Sequence, residues 1–453
     1  MTNYRELQDL LLDLYKKSDL KPLQQLLAEQ EPIDVAEFLD ELPEDDASRV
    51  FRLLPKDLSM DIFVHLDADT QERLVCKLTD PQLSAMIDLV YNDDLADILD
   101  EMPANVVKRI LANTPAERRY IVNRLLKYPE DSAGSIMTTE YICIDEHFTV
   151  AEAFQHLRKS RQKLETVYNL YITTGDNRLV GVLSVRDMFS AKDEALVSDV
   201  MEQSVVAVRT TDDQEEVALL FDRYDLLALP VVDSEYRLVG IITVDDAMDI
   251  MAEEASEDLS KMAAVSPSKK SYLDISVWEH TKSRLPWLLL FMVCGIVNAR
   301  ILSGFEDAFT LVPALVGFIP MLTDTGGNAG SQGAAVIVRS LALQEISYKD
   351  WAKTLWKEMR VGLGLGLTLG LVNFIQLFFL RQLSFSVSFT ISLSLLTVGI
   401  AAKSLGAILP ILADRLRLDP AVMAGPLIAT AMDAISIVIY FSLAKAILFS
   451  QLG

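Results

Sequence analysis

Cysteine is nearly absent from this 453-residue chain, and Cys76, Cys143 and Cys294 lie far apart without metal-ligand or redox spacing. Cys294 falls inside an apolar run, so a disulfide framework is not expected. Histidine is as sparse. His65, His147, His156 and His280 are scattered without zinc spacing and read as surface or interface residues. No Walker A sequence, phosphorylated-aspartate ATPase signature or nucleophile–base pair is apparent, which sets aside ATP-driven pumps and enzymes. The opening residues, Met1 to Asp9, alternate charged and apolar side chains and lack the apolar core of a signal peptide. The N-terminal part is therefore expected in the cytoplasm. The run Gly362–Gly370 resembles a dinucleotide loop only superficially, because it sits in an apolar stretch where glycines let helices approach closely.

Basic residues are also in short supply, and unevenly so. Residues 284–453 hold 12 Lys and Arg against 9 Asp and Glu, a net of +3. The whole chain carries −24, which leaves −27 on residues 1–283. Two to four domains are expected at this length. One region is oily and close to neutral, while the other is polyanionic. Such an acidic surface repels nucleic acid and anionic lipid and attracts cations.

What is present begins with a repeat of twelve. Leu42, Leu54, Leu66, Leu78, Val90, Met102, Thr114 and Leu126 fall at equal intervals, and Pro43, Pro55, Pro103 and Pro115 follow four of them. Apolar residues recur at helical spacing within each unit, and each proline stops one helix and starts the next. The pattern predicts an N-terminal α-helical superhelical repeat domain over 1–130. Thr114 breaks the apolar series, so irregularity is expected near the last units.

Residues 131–257 contain a duplication. Val180-Gly-Val-Leu-Ser-Val-Arg-Asp187 and Val239-Gly-Ile-Ile-Thr-Val-Asp-Asp246 are near copies 59 residues apart, and Ile136-Met137-Thr138 and Val200-Met201-Glu202 open their units alike. Strand-like runs and turn residues precede each copy. This unit resembles a tandem pair of cystathionine-β-synthase (CBS) α/β domains. A connecting helix is expected over 258–283, followed by a five-helix transmembrane domain over 284–453. Its apolar stretches are 285–303, 309–341, 359–380, 386–412 and 421–449, long enough to cross a bilayer. Lys349, Lys353, Lys357 and Arg360 lie between spans two and three, and Arg415 and Arg417 between four and five. The loop Gly304–Asp307 has no basic residue and the one between spans three and four has only Arg381. The asymmetry predicts a cytoplasmic N-terminus and an external C-terminus.

Polar residues at bilayer depth mark chemistry. Span two contains Pro320-Met-Leu-Thr-Asp-Thr-Gly-Gly-Asn-Ala-Gly-Ser-Gln332, whose Pro320, Gly326, Gly327 and Gly330 predict a kinked or unwound helix. Asn328 and Gln332 are one turn apart and share a face. Tight packing through small residues is the alternative. Asp433 stands among apolar neighbours in span five, with no basic residue within ten positions. A lone ionised carboxylate there costs about 2.5–3.5 kcal/mol, so a proton, Lys403 of span four or a passing cation must compensate it. Magnesium keeps several waters and takes one or two carboxylates, which suits so sparse a site. Its inward flow gains roughly 4.6 kcal/mol per 100 mV and needs no ATPase.

At this point the chain closely resembles the MgtE family of magnesium channels. The resemblance rests on domain order together with Gly327-Asn328-Ala-Gly330-Ser-Gln332, Asp419-Pro420-Ala421, Pro426 and Thr430-Ala-Met-Asp433. It implies a homodimer in the cell (inner) membrane that takes up Mg2+ through a pore between two subunits. It further implies that Asp433 selects magnesium, Asn328 gates the pore and Asp419 makes a membrane-boundary metal contact.

Between Arg237 and Lys261 there is no basic residue, while Asp245, Asp246, Asp249, Glu253, Glu254, Glu257 and Asp258 crowd together. Asp246, Asp249, Glu253 and Glu257 share a helix face and repel, which bound divalent ions would relieve. Asp93, Asp94 and Asp97 offer a facing jaw in the repeat domain. The resemblance implies a sensor in which Mg2+ bridges repeat and CBS domains and closes the pore. Asp93, Asp97, Asp225, Asp246, Asp249, Glu254, Glu257 and Asp258 are its candidate ligands. Ser184 with Asp187 and Thr243 with Asp246 match the pattern by which CBS domains hold a ribose, so ATP is a further candidate ligand. Two transport rivals remain at this stage. A transporter of another divalent metal, such as cobalt, would share the scaffold, though sparse oxygen ligands favour a hard ion over a soft one, and an ATP-sensing anion channel would need basic groups at depth rather than Asp433.

Overall fold

The computed structural model describes residues 4–17, 19–160, 164–268, 272–273, 275–305 and 312–448. The chain divides into two compact units, Met1–Met251 and Ala252–Gly453.

The first unit begins with ten helices between Tyr4 and Leu125, each only 8 to 13 residues long. Helices this short are marginal alone and depend on burying a stripe against their neighbours. Leu42, Leu54, Leu66, Leu78, Val90 and Met102 are all buried at the helix ends where the repeat places them. Pro43, Pro55, Pro103 and Pro115 each occupy the cap position of the helix that follows. Thr114 is no defect. It is buried like its apolar counterparts because its hydroxyl donates to the Ile110 carbonyl at 2.8 Å. The series fails instead at Leu126, which is exposed.

The duplicated segment forms two three-stranded sheets of identical plan, β1-β2-β3 (Cys143–Asp145, Asn169–Thr173, Leu179–Ser184) and β4-β5-β6 (Val208–Arg209, Ala228–Val232, Leu238–Thr243). In each, the first pair is parallel and the second antiparallel, with a register shift at the equivalent Ile172/Thr173 and Val231/Val232. The opening segments are exchanged. Thr138 bonds both ways with Ile241 of the second sheet, and Glu202 does the same with Val182 of the first. A Cβ on Gly240 would lie 2.5 Å from Met137 Sδ, and one on Gly181 would lie 2.4 Å from Met201 Sδ. Those glycines are fixed by close approach rather than by backbone conformation.

The expected connecting helix over 258–283 is not one element. Helix Val244–Met262 begins inside the CBS segment and carries the acidic run, and the next helix starts at Val277. Ala264 at φ +55 and Pro267 break the helical path between them.

Among the described residues the second unit holds five long helices, Val277–Ser303, Ile319–Ala342, Trp351–Ile375, Phe385–Arg415 and Gly425–Ile447. The third continues into a wider turn at Gln376–Leu380. Four of the five are long and apolar enough to cross a membrane. Ile319–Ala342 has the length but not the apolarity, because Thr323, Asp324, Thr325, Asn328, Ser331 and Gln332 interrupt it. It packs against the fourth and fifth helices, and the fifth also packs against the first. The loop residues Glu306 and Asp307 and the start of the expected second span lie outside the described residues.

Candidate ion pathway and acidic clusters

In the first unit, helix Asn92–Glu101 is held to the CBS segment at its N-terminal end. Asn92 Nδ2 donates to Thr139 Oγ1 at 3.0 Å, and the Tyr91 hydroxyl donates to the Leu164 carbonyl at 3.4 Å. This places Asp93 and Asp94, in the first helical turn, among Glu140, Glu165 and Asp246. Asp93 is buried and its Oδ1 has no hydrogen-bond partner; Glu165 Oε2 is in the same position. Burial and then the neighbouring carboxylates push Asp93 well above the ordinary carboxylate range. The same causes push Glu165 up to about 8. Burial pushes Asp246 up to about 6 against the hydrogen bond from Thr243. Among the described residues no group of three or more His, Cys, Asp or Glu side chains stands ready to grip a bare ion. Two orphaned, buried carboxylate oxygens among like charges nevertheless fit a hard cation that keeps part of its water.

Not every expected ligand joins this cluster. Asp97 and Asp249 are exposed, and Asp225 is exposed in the left-handed conformation that ends helix Gln214–Tyr224. Glu254, Glu257 and Asp258 belong to the second unit with Asp419. There Lys261 pairs with Glu257 and, at 2.6 Å, with Asp419, whose other oxygen accepts from the Ala421 N–H at 2.8 Å. Desolvation alone would lower Lys261; the two carboxylates outweigh it and raise its pKa. Asp258 beside them is pushed up to about 6, first by burial and then by Asp419. At the CBS pair, Ser184 Oγ donates to Asp187 Oδ2 and Thr243 Oγ1 to Asp246 Oδ2, each at 2.5 Å.

The glycines of the second long helix do not unwind it. Ile319–Ala342 is continuous, with Pro320 harmless in its first turn. Gly326, Gly327, Gly330 and Gly333 form a buried face. A Cβ at Gly330 would lie 2.6 Å from Ile428 Cγ2, and one at Gly406 opposite would lie 2.4 Å from the Gly330 carbonyl. Small residues serve close helix packing here. Asp324, Asn328 and Gln332 lie on the other side, four residues apart and exposed. Asp324 acts electrostatically on Asp433 of the fifth helix. Lys403 takes no such part, since it is buried beside Gly333 and Gly362, close to Glu358.

The chain that carries these residues has close relatives among known proteins. Residues 319–443 match a family model described as MgtE, divalent cation transporter; 30–131 match the MgtE intracellular N domain, and 133–194 and 197–253 match CBS domains. The magnesium transporter MgtE of Thermus thermophilus is 37% identical over 446 residues, covering 97% of this chain and 98% of that protein. The chain belongs to the MgtE family of magnesium transporters. The Bacillus subtilis MgtE is 34% identical, with 99% and 98% coverage. Among solved structures, the cytosolic domain of the Mg2+ channel MgtE in complex with ATP is 38% identical, with a TM-score of 0.50 over 53% of this chain and 98% of that one. The soluble part of a magnesium transporter is 30% identical, with a TM-score of 0.51 over 56% and 100%. As an MgtE-family member the chain is a magnesium transporter and not an enzyme.

Three further carboxylates stand out in the structure of this MgtE-family member. Asp324 is a second carboxylate in a membrane helix, a signal as plain as Asp433. Glu140 and Glu165 left no local signal, because only the tertiary fold carries them to Asp93.

Proposed function

We propose that the chain forms a homodimeric, magnesium-selective channel for Mg2+ uptake across the cell membrane, closed by cytosolic Mg2+. The polar stripe Asp324–Asn328–Gln332 carries this reading. It is exposed on a protomer whose helix belongs in a bilayer, opposite a glycine face that already packs internally. Such a stripe cannot face lipid; it needs a water-filled passage or a second copy. A pore between two subunits satisfies both needs. In this reading Asp433 attracts the dication, Asp324 adds to the same field, and Asn328 and Gln332 offer amide oxygens to its water shell. Asp419 contacts metal at the membrane boundary, and the charge asymmetry of the loops places the N-terminus in the cytoplasm and the C-terminus outside.

Closure follows from the acidic cluster. At low Mg2+ the carboxylates around Asp93 and Asp246 repel, and the helical repeat and CBS segments loosen. Mg2+ bridges them, with Asp97, Asp225 and Asp249 as further ligands, while Glu254, Glu257 and Asp258 take a separate ion beside Asp419 in the second unit. Helix Val244–Met262 passes the change to the membrane unit. The paired Ser184–Asp187 and Thr243–Asp246 would hold the ribose of ATP, as support from the ATP-bound relative suggests.

The test is Mg2+ flux into liposomes holding the purified chain, across a range of internal Mg2+. Flux should fall as internal Mg2+ rises. Asp433→Ala should abolish it while leaving a folded dimer, and unchanged flux would remove Asp433 from the pathway.

A further inference from the structure

Residues 265–268, Ser260, Tyr272 and Ile275 and the first turns of helix Val277–Ser303 border an open cavity of about 600 Å³. Its wall includes Ser266, Ser268, His280, Lys282, Ser283 and Arg284. Lys282 and Arg284 therefore border one space with the hydroxyls of Ser260, Ser266, Ser268, Tyr272 and Ser283. Glu279 is the carboxylate of the described wall, and it is engaged as the helix cap, accepting from the Ser276 N–H at 3.0 Å. The connection is anchored to the helix. Ser266 N–H donates to the Ser283 carbonyl at 3.1 Å, and the His280 ring lies 4.8 Å from that of Tyr272. Lys282 Nζ stands 5.6 Å over the Trp278 ring, which holds the ammonium near the rim.

The level of this cavity matters. After Arg284 no charge occurs until Arg300, so Arg284 marks the edge of the apolar span. Tyr272, Leu273 and Trp278 are 69%, 88% and 65% exposed just before it, the pattern of side chains that settle among lipid headgroups. The local charge is opposite to that of the chain as a whole, which is −24. The net negative charge of the chain repels anions, so an anion held here needs a specific site.

We propose that this cavity binds a phosphate-bearing anion at the membrane surface, the headgroup of an anionic phospholipid. Arg284 supplies a fork matched to phosphate oxygens, Lys282 a point charge and Ser266 a neutral donor, while the Ser283 hydroxyl already donates to the His280 carbonyl at 3.1 Å. An occupant would fasten the junction of the connecting segment and the first membrane helix to the bilayer. This inference requires only that the helix enters a membrane, and it stands or falls apart from any role in magnesium transport.

The full chain, extracted from membranes containing phosphatidylglycerol, is examined by native mass spectrometry beside Lys282→Gln/Arg284→Gln. A second double variant, Lys353→Gln/Lys357→Gln, removes the same charge elsewhere. Retained phosphatidylglycerol should fall about fivefold per cation removed from the cavity, the usual pull of one Lys or Arg at an anionic surface. The Lys353/Lys357 control should keep it. Equal loss in both variants, or no retained lipid in the folded parent chain, overturns the proposal. A third arm adds inorganic phosphate to the detergent-solubilised chain. Displacement of the lipid at millimolar phosphate would assign the cavity to free phosphate and overturn the lipid as occupant.

Discussion

Two acidic clusters of similar composition solve the same electrostatic problem differently. Around Asp93, Glu165 and Asp246 carboxylates meet mainly other carboxylates, with Arg118 acting on Glu140 at the edge. Around Glu257, Asp258 and Asp419 the chain supplies its own cation, Lys261, which pairs with two of the three. The first cluster can become comfortable only by taking up protons or metal. The second is already partly compensated, so an incoming dication must compete with an ammonium. The contrast teaches that acidic count alone does not set how strongly a cluster invites a cation; the uncompensated charge does.

The sharpest way to break this comparison is to neutralise the first cluster with Asp93→Asn, Glu165→Gln and Asp246→Asn together. Millimolar Mg2+ should then no longer protect the repeat and CBS segments from protease, and flux should persist at high internal Mg2+. Normal closure would place the sensor elsewhere. A second, intermediate effect concerns pH. Asp246 and Glu165 have folded pKa values raised to about 6 and about 8, above their unfolded values near 4. Their favourable contribution is complete below the unfolded values and is lost as pH rises through about 6 to 8. In the absence of divalent ions, hydrogen-exchange protection of Asn92–Glu101 should fall across that window, and Mg2+ should restore it. Flat protection from pH 5 to 8 would show the cluster to be indifferent to its charge. The smallest effect is expected at the second cluster. Lys261→Met removes part-exposed ion pairs worth up to ~1 kcal/mol each, so divalent affinity there should rise by about fivefold. Calorimetry on Lys261→Met and the parent chain would measure it, and weaker binding in the variant would show that Lys261 organises the site rather than competing for it.

Much of the architecture could be read from residue order because its signals are local. The twelve-residue repeat, the copied strands ending at Ser184 and Thr243, and the four strongly apolar helices each announce themselves within a short window. The misreadings share one physical origin. Gly326, Gly327 and Gly330 look like helix breakers by propensities measured in water, yet in a packed membrane helix they let Ile428, Ala429 and Val398 come close. Thr114 looks like a break in an apolar series until its hydroxyl finds the Ile110 carbonyl. The alliance of Asp93 with Glu165 joins residues 72 positions apart, and no window of sequence reports it.

Gly425 carries a consequence for how force could travel through the membrane unit. Its backbone sits at φ +44, its carbonyl accepts from Ser331 Oγ at 3.1 Å, and a Cβ there would lie 2.4 Å from the Met262 carbonyl. Main chain thus touches main chain, with no side chain between to act as a cushion. A push or pull at the tip of the acidic helix would arrive undamped at the root of the segment bearing Asp433, as a rigid lever moves its load.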